Sequence, residues 1–371
     1  MPRRPQNVAC NTLALLLMFS PVAVAGSSSQ LAGYCGVAQT GSSLPREHVS
    51  GYSDVANRRG YSLDTVQPIG SVSKPFIGLA LAQLSKAGKL DLDAPIDAVL
   101  GWKVANPAYP NRPITLRQLA THSSGLFDDE AAYEQSYVPI DAEAMSLHDF
   151  LERYLGQNTG TSARSRFRKS APGTAYEYSN IGAALAALAV ERASGLPFAD
   201  YVRARILAPL KMNDSGYPGF ASVPPIATRA TLYEGGLPVA PYRLVTYPDG
   251  GLLSTCADLQ RFAQAVLQAA NGKTSALDPA VVATMLAPQW KSSLPGAPKS
   301  LVNHGLFWEM SGSGSIGHTG GDPGLAALLA IQPRHSSTRI QLTNSGIDND
   351  TEASEAFKAR WKTLGEDTQV P

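Results

Sequence analysis

The sequence predicts a mixed α/β (α+β) fold. In this fold an antiparallel sheet formed from both termini is flanked by helices and carries an inserted, mainly helical domain. Two strand-like segments separated by turn residues lie near the start of the chain, at 34–41 and 46–56. Apolar runs split by turns return at 314–346, and helix signals fill the middle. Strands at both ends with helices between them indicate one sheet built from the two ends.

Length and composition indicate a large globular protein. Of its 371 residues, 44% are hydrophobic and 16% are charged, and this composition excludes a disordered protein. The chain is also too long for one small core. We expect residues 26–90 and 246–371 to form a sheet-plus-helix domain and residues 91–245 to form the inserted domain. The formal charge of +1 indicates neither nucleic acid nor an acidic surface as a partner.

Capping residues and glycines mark the helices. An amphipathic helix is predicted within residues 67–90 and ends at Gly88. Further helices start at hydroxyl residues that are followed three positions later by an acid or amide: Thr115 with Gln118, Ser146 with Asp149, and Thr255 with Asp258. Gly195 and Gly272 end two of the later helices, and residues 351–365 form a last helix that could cover the sheet.

The N-terminus has the pattern of an export signal. Arg3 and Arg4 precede the apolar run 13–19, and small residues follow at 23–25. The run is too short to span a bilayer. We expect cleavage after Ala25, a periplasmic or secreted protein, and no stable membrane insertion after cleavage. An uncleaved anchor is the alternative.

Two cysteines remain after cleavage, Cys35 and Cys256. In an oxidising compartment they could form a disulfide, but two free buried thiols fit the sequence equally well.

The first motif with chemical potential is Ser71-Val72-Ser73-Lys74. Residues three apart share a helix face, so the Ser71 hydroxyl and the Lys74 amine can meet. A buried lysine with a lowered pKa can accept the proton of a serine nucleophile. The alternative is that Ser71 caps the helix and Lys74 is exposed. Ser73 is either a lining hydroxyl or a bystander.

The second motif is Tyr178-Ser179-Asn180, where an Ala/Leu-rich helix begins. The Tyr178 phenol can relay a proton if a nearby ammonium lowers its pKa, and the Asn180 amide can hold a substrate amide through a donor and an acceptor. The alternative makes Asn180 an N-cap and Tyr178 an interface aromatic.

The third motif is His318-Thr319-Gly320-Gly321, which opens an apolar strand. The two glycines let a ligand approach the backbone. The N–H groups of Gly321 and Ser71 could together form an oxyanion hole. The alternative is a β-turn with a surface histidine.

Other polar stretches are discounted. His122 is interpreted as a hydrogen-bonded structural histidine, and the polar segment 156–170 as a solvated loop. The stretch 272–277 (GKTSAL) is similar to a Lys-Thr-Gly motif but lacks the glycine after its threonine. The sequence contains no H-E-x-x-H spacing, which would indicate a metal site, and no G-x-S-x-G motif, which would indicate an α/β-hydrolase.

In order and spacing, the three motifs resemble those of the penicillin-recognising serine hydrolases, specifically the class C β-lactamase-like branch. That branch includes DD-carboxypeptidases, D-amino-acid peptidases and carboxylesterases. The resemblance extends over residues 53–346 and includes ITLRQLATHSSGL and PDGGLLSTCADLQRF. It implies a β-lactamase/transpeptidase-like fold, a covalent acyl-enzyme and no cofactor.

The resemblance also implies a role for each motif residue. The catalytic roles fall to the nucleophile Ser71, its proton partner Lys74, and Tyr178, which shares the proton traffic. Substrate binding falls to Asn180, His318 and Thr319. The main-chain amides of Ser71 and Gly321 match the oxyanion hole.

One position departs from the family pattern, because His318 stands where a lysine often occurs. A histidine near neutral pH is only partly charged, which weakens the recognition of a substrate carboxylate. Asp322 adds an acid nearby and either disfavours anionic substrates or merely forms a turn.

We expect an exported serine hydrolase that acts on D-alanyl or other D-amino-acid peptides or on β-lactams. The alternatives are a carboxylesterase acting on small esters and a catalytically silent module that binds peptidoglycan peptides. We expect the partner of the protein to be a small-molecule or peptide substrate, and the sequence leaves the oligomeric state open.

Overall fold

The structure is a computed structural model that describes residues 31–155, 166–220, 223, 225–366 and 368. The predicted signal segment and residues 156–165 of the predicted polar loop lie outside these ranges.

The strands follow the chain as β1 (Gly33–Thr40), β2 (Arg46–Asp54), β3 (Arg59–Gly60), β4 (Gln67–Pro68), β5 (Tyr137–Pro139), β6 (Tyr233–Glu234), β7 (Leu237–Pro238), β8 (Tyr242–Leu244), β9 (Leu253–Ser254), β10 (Leu301–His304), β11 (Glu309–Ser311), β12 (Ile316–Asp322), β13 (Leu325–Gln332) and β14 (Ser337–Thr343).

The α-helices are α1 (Lys74–Lys86), α2 (Asp97–Leu100), α3 (Leu116–Ala120), α4 (Glu130–Tyr133), α5 (Leu147–Tyr154), α6 (Asn180–Ser194), α7 (Phe198–Val202), α8 (Cys256–Ala270), α9 (Pro279–Leu286) and α10 (Thr351–Glu366). A π-helical turn, Arg203–Leu207, continues α7.

The predicted sheet from both termini is confirmed. The large sheet is antiparallel, with the strand order β10-β11-β12-β13-β14-β1-β2-β3. Its centre joins the two ends of the chain, because β1 pairs with β14 from Tyr34 opposite Thr343 to Thr40 opposite Ser337. Helical segments α2 to α7 lie between β4 and β6 in sequence. The boundaries of the two domains stay a prediction.

Helices cover both faces of the sheet. Successive residues of a strand point to opposite faces. Cys35 on β1 faces α8, while Tyr34 packs with Phe357 of α10. The main-chain carbonyl of Phe357 also accepts a hydrogen bond from Gln341 on β14. The C-terminal helix therefore covers the sheet, as predicted.

The predicted helix caps are found. Thr115 and Gln118 form a complete capping box, and the side chains of Ser146 and Thr255 accept from the amides three residues later. Helix α6 ends at Gly195, where φ is +75°, a conformation that a glycine adopts without steric cost.

Helices α1 and α6 form the core beside the sheet. All but three residues of α1 are buried, as is the continuous run Ile181–Val190 of α6. Gly78 lets α1 approach the chain at Leu306, since a Cβ at Gly78 would lie 1.9 Å from the Leu306 carbonyl oxygen. Within the described ranges no single helix has the length and apolarity to cross a membrane. Helix α6 and the helical segment Phe198–Leu207, which are bent by 74° relative to each other, are long and apolar enough to cross a membrane only when taken together, and only by length and composition.

The cysteine alternatives left open by the sequence are resolved in favour of the disulfide. Cys35 on β1 and Cys256, the first residue of α8, are bonded and lie 221 positions apart in sequence. Both side chains are fully buried. The bond joins the central strand to the helix that covers it.

Removing this disulfide should lower the free energy of unfolding by about 2–5 kcal/mol, because the unfolded chain regains a long closed loop. The measurement is guanidinium denaturation of the mature protein and of a Cys35→Ala/Cys256→Ala double variant. Dithiothreitol should shift the midpoint of the wild-type protein and leave that of the double variant in place. An equal midpoint for oxidised and reduced wild-type protein would contradict the prediction.

Candidate active site

Ser71 and Lys74 lie at the junction of two helical turns. Gly70–Ser73 form a 3₁₀ turn that leads into α1, so Ser71 precedes the α-helix in which the sequence analysis placed it. In a 3₁₀ turn residues i and i+3 eclipse each other, and Lys74 therefore lies directly beside Ser71. The Lys74 Nζ donates to Ser71 Oγ at 2.8 Å. The alternative of a capping serine and an exposed lysine is wrong, because Ser71 caps none of the described helices and Lys74 is fully buried.

The Lys74 amine has three acceptors. Besides Ser71 Oγ, Nζ contacts Asn180 Oδ1 at 2.6 Å and the main-chain carbonyl of Asp249 at 2.8 Å. Burial lowers the pKa of Lys74, against the opposing attraction of four acids: Asp249, Asp128, Asp322 and Glu309. The amine is thus held in one place while its burial favours the neutral, proton-accepting form.

Tyr178 supplies the second contact to the serine. Its Oη donates to Ser71 Oγ at 2.9 Å, and its ring stacks on His122 with centroids 4.3 Å apart. Burial raises the pKa of Tyr178 well above its ordinary value, although the bond to Ser71 opposes this. Proton relay by Tyr178 was predicted only for a phenol with a lowered pKa. The pKa is raised instead, so the phenol is a hydrogen-bond donor in this state.

Asn180 is the first residue of α6, and its side chain faces Lys74. The predicted alternative of an N-cap is wrong, since Ser179 caps this helix through a bond from the Gly182 amide. Asp128 holds the same helix end. Its carboxylate accepts from Ser179 Oγ at 2.8 Å and from the amides of Asn180 and Ile181 at 2.6 and 3.1 Å. The free N–H groups of a helix start bind a carboxylate favourably.

His318 and Thr319 lie on β12. The His318 Nδ1 bonds the Thr319 carbonyl oxygen at 2.6 Å, and its ring is buried. Burial, with help from the nearby Lys74, lowers the pKa of His318 to about 3. The imidazole is therefore neutral, not a fixed cation, and the surface-histidine alternative is wrong. Thr319 is exposed and open to a ligand.

Glycines bring β12 against the Ser71 turn. A Cβ at Gly320 would lie 2.2 Å from the Ile69 carbonyl oxygen, and one at Gly70 would lie 2.9 Å from the Gly321 nitrogen. Side chains at these positions would push the strand away from the turn. The Gly321 amide is thus close to the turn that carries Ser71, and the oxyanion hole of these two amides stays a prediction.

Asp322 is the last residue of β12 and lies at the start of a turn. The Tyr137 hydroxyl donates to its Oδ1, and Gly324, with φ of +79°, continues the predicted turn. Burial raises the pKa of Asp322 to about 6. The residue is both a turn former and a polar group beside the site.

The remaining polar residues have structural roles. The His122 Nδ1 accepts from the Ser179 amide at 3.1 Å, which agrees with its structural interpretation. Ser73 donates to the Gly70 carbonyl at 2.7 Å and accepts from the Leu252 amide. It therefore links the Ser71 turn to the segment that contains Leu252.

One candidate metal group occurs in the described part of the chain. His148, Asp149 and Glu152 of α5 have ligand atoms within 4.8 Å of one another. Exposed acidic groups of this kind are common without an ion, and we assign no metal to them.

Sequence reasoning missed the acids around Lys74. Asp128, Asp249 and Glu309 come from three separate segments, and only the fold brings them to one amine. Asp249 follows a proline in PDGG, and Asp128 follows SSGLF. Both positions read as ordinary turn residues. The available signal was an acid beside a glycine-rich or helix-starting motif, which is weak alone.

A serine, a buried lysine and a tyrosine joined by hydrogen bonds are typical of serine hydrolases that use lysine as a base. The chain matches the family model described as Beta-lactamase over residues 25–360. The protein therefore belongs to the Beta-lactamase family.

Its relatives include both peptidases and esterases. Penicillin-binding protein 4* of Bacillus subtilis (strain 168) is 24% identical over 366 residues, covering 90% of this chain and 73% of that protein. The D-alanyl-D-alanine-carboxypeptidase/endopeptidase AmpH of Escherichia coli (strain K12) is 30% identical over 208 residues, covering 55% of this chain and 50% of AmpH. Esterase EstB of Burkholderia gladioli is 34% identical over 185 residues, 49% of this chain and 45% of EstB. The matches thus span about half the length of AmpH and EstB.

A solved structure agrees with the fold. The penicillin binding protein from Bacillus halodurans superposes with a TM-score of 0.66 at 25% identity and covers 88% of this chain and 95% of its own. The protein is therefore a serine hydrolase of the β-lactamase and penicillin-binding-protein type, with DD-peptidase and esterase relatives.

Replacing Asp128 with Asn should destabilise the protein by about 1–3 kcal/mol, because two helix-end amides and the Ser179 hydroxyl lose a charged acceptor. Activity should fall with it, since Asn180 is released from its position beside Lys74. Denaturation and kcat/KM on an ester substrate measure both effects.

Asp129→Asn is the matched control. The neighbouring Asp129 caps α4 through the Ala132 amide and has no contact with Asn180 among the described hydrogen bonds. Equal losses of activity in the two variants would contradict the role of Asp128 in holding Asn180.

Proposed function

We propose that the protein is an exported serine hydrolase that forms an acyl-enzyme on Ser71 and cleaves small esters and D-amino-acid amides or peptides. The observation that carries the proposal is the hydroxyl of Ser71, bonded to the Lys74 amine at 2.8 Å and to the Tyr178 phenol at 2.9 Å. A nucleophile with a proton acceptor in direct contact is the minimum that acyl transfer requires.

In the first step Ser71 Oγ attacks the carbonyl carbon of the substrate, and its proton moves to the neutral Lys74 Nζ. The carbonyl oxygen becomes an oxyanion, which the amides of Ser71 and Gly321 stabilise. When the tetrahedral intermediate collapses, the bond to the leaving group breaks and the leaving group takes up a proton from Lys74. Water then attacks the acyl carbon and loses a proton to the same amine. When this second tetrahedral intermediate collapses, the bond between the acyl carbon and Ser71 Oγ breaks, Oγ takes the proton back from Lys74, and the acid is released with the serine and the neutral amine restored.

Tyr178 supports this cycle as a neutral phenol. Its hydroxyl donates to Ser71 Oγ. When Lys74 is neutral, its two N–H groups serve Asn180 and the Asp249 carbonyl, and its hydrogen bond with Ser71 reverses so that the serine proton points at Nζ. As the proton reaches Lys74, the ammonium keeps its other two N–H bonds, to Asn180 and to the Asp249 carbonyl. No group has to move for the transfer, which lowers the reorganisation cost.

The charges around the serine favour substrates without a carboxylate beside the scissile bond. His318 is neutral, and four carboxyl groups act electrostatically on Lys74. An anionic substrate group would meet acids without a fixed cation at position 318 to offset them. This observation favours esters and amides over β-lactams and over peptides that end in a free carboxylate.

D-Alanyl carboxypeptidase activity is the second candidate. The relative AmpH carries that activity in its name, and the exposed Thr319 hydroxyl is available to a leaving-group carboxylate. The alternative of a catalytically silent binding module is less well supported, because Ser71, Lys74 and Tyr178 are all present and hydrogen-bonded.

Export is supported by two features. The first 25 residues have the charged, apolar and small-residue order of a cleaved signal. A disulfide such as Cys35–Cys256 persists in the periplasm or outside the cell and is rare in the cytosol.

A substrate panel tests the proposal. We expect the mature protein to hydrolyse a short-chain nitrophenyl ester and an amidated D-alanyl-D-alanine peptide. Its kcat/KM on the amidated peptide should exceed that on the free-carboxylate peptide by about tenfold, or 1.4 kcal/mol, and a chromogenic cephalosporin should be turned over slowly. Ser71→Ala should lose activity by a factor of about 10³ or more.

Activity that survives in Ser71→Ala would contradict the mechanism. A preference for the cephalosporin or for the free-carboxylate peptide would contradict the proposed substrate class and favour the second candidate.

A further inference from the structure

Asp249 is a buried acid beside the proposed base. It lies in the turn between β8 and β9, where its amide donates to the Thr246 carbonyl at 3.0 Å. Its main-chain carbonyl accepts from Lys74 Nζ at 2.8 Å, so the same residue that positions the amine also carries a carboxyl group next to it.

The carboxyl group of Asp249 is held on one side only. The Tyr133 hydroxyl of α4 donates to its Oδ1 at 2.9 Å. Oδ2 is buried near the Thr246 hydroxyl but forms no well-aligned hydrogen bond with any described residue. Asp249 is fully buried. A fold that needed only a turn former would gain nothing from burying a half-satisfied carboxyl group, whose desolvation is costly.

The titratable groups that face Asp249 come from several packed elements. They are Lys74 of α1, Asp128 before α4, Tyr133 of α4, Tyr137 of β5, Tyr178 before α6, and Tyr217. Lys74 is the only base in this set. The charge of Asp249 therefore acts chiefly on the amine that Ser71 requires.

We propose that Asp249, held by Tyr133, is a positioning residue whose carboxyl group sets the pH at which Lys74 becomes a base. The inference rests on the proposed function, because it assigns Lys74 the role of proton acceptor for Ser71.

The sign follows from the attraction between unlike charges. Burial raises the pKa of Asp249 to about 7, while Lys74 and the Tyr133 hydrogen bond oppose that rise. Once ionised, Asp249 favours the ammonium form of Lys74. Removing this negative charge makes the amine easier to deprotonate, so the active form should extend to lower pH.

Two variants test the inference. Asp249→Asn removes the charge and keeps an acceptor for Tyr133. Tyr133→Phe keeps the acid but removes the donor that favours its ionised form, so it should act in the same direction and more weakly. Tyr201→Phe is the matched control, because it deletes another largely buried hydroxyl, one that bonds Gln83 and not Asp249.

The readout is the rate at which a fluorophosphonate labels Ser71 over a pH series, followed by mass spectrometry. In Asp249→Asn the midpoint of the acid limb should lie about one pH unit lower than in the wild-type protein. At a pH one unit below the wild-type midpoint, the labelling rate as a fraction of each protein's plateau should then be about fivefold higher in the variant. Tyr201→Phe should keep the wild-type midpoint.

An unchanged or higher midpoint in Asp249→Asn would overturn the inference, because a merely structural acid changes the plateau and the stability but not the midpoint. If Asp249→Asn does not fold, Tyr133→Phe decides in the same way. A wild-type protein that takes no label at Ser71 would instead contradict the proposed function.

Discussion

The structure around the site depends on the burial of one amine. Lys74 has no exposed surface, and a lysine in that position is tolerated only if every N–H it carries has an acceptor. The acceptors come from three segments far apart in sequence: Ser71, Asn180 and the Asp249 carbonyl. The start of α1, the start of α6 and the turn before β9 must therefore meet at one point. The same burial that imposes this convergence favours the neutral amine that a serine nucleophile needs.

Backbone contact provides the second constraint. The strand that carries His318 and Thr319 lies so close to the Ser71 turn that glycine is required on both sides, at Gly70 and Gly320. The Ser73 hydroxyl accepts a hydrogen bond from the Leu252 amide and fixes the same turn to the segment that contains Leu252. A site built from main chain in this way leaves little freedom to the serine, which is consistent with catalysis by preorganised groups.

Much of the fold was predictable from local signals. The caps at Thr115, Ser146 and Thr255 act over three residues, and the meander after residue 314 alternates apolar runs with turns, so both are visible in sequence. The three motifs were also visible, and the structure brings Ser71, Lys74, Tyr178 and Asn180 together. Their charge states were not predictable. Whether a phenol or an imidazole titrates near neutrality depends on burial and on charges brought close by the fold. Burial and distant acids raise the pKa of Tyr178, and burial and Lys74 lower that of His318. Asp128 and Asp249 were missed for the same reason, since nothing local marks a turn acid as the neighbour of a lysine 50 or more positions away.

In the proposed mechanism, Ser71 is a nucleophile because Lys74 accepts its proton. The most direct measurement is peptide mapping by mass spectrometry after a brief reaction with a short-chain nitrophenyl ester, on the wild-type protein and on Lys74→Met. We expect a single acyl adduct on the wild-type protein, on the peptide that contains Ser71, and no adduct on the variant, which keeps a buried side chain of similar length. An adduct on another residue, or equal acylation of Ser71 without the amine, would contradict this mechanism.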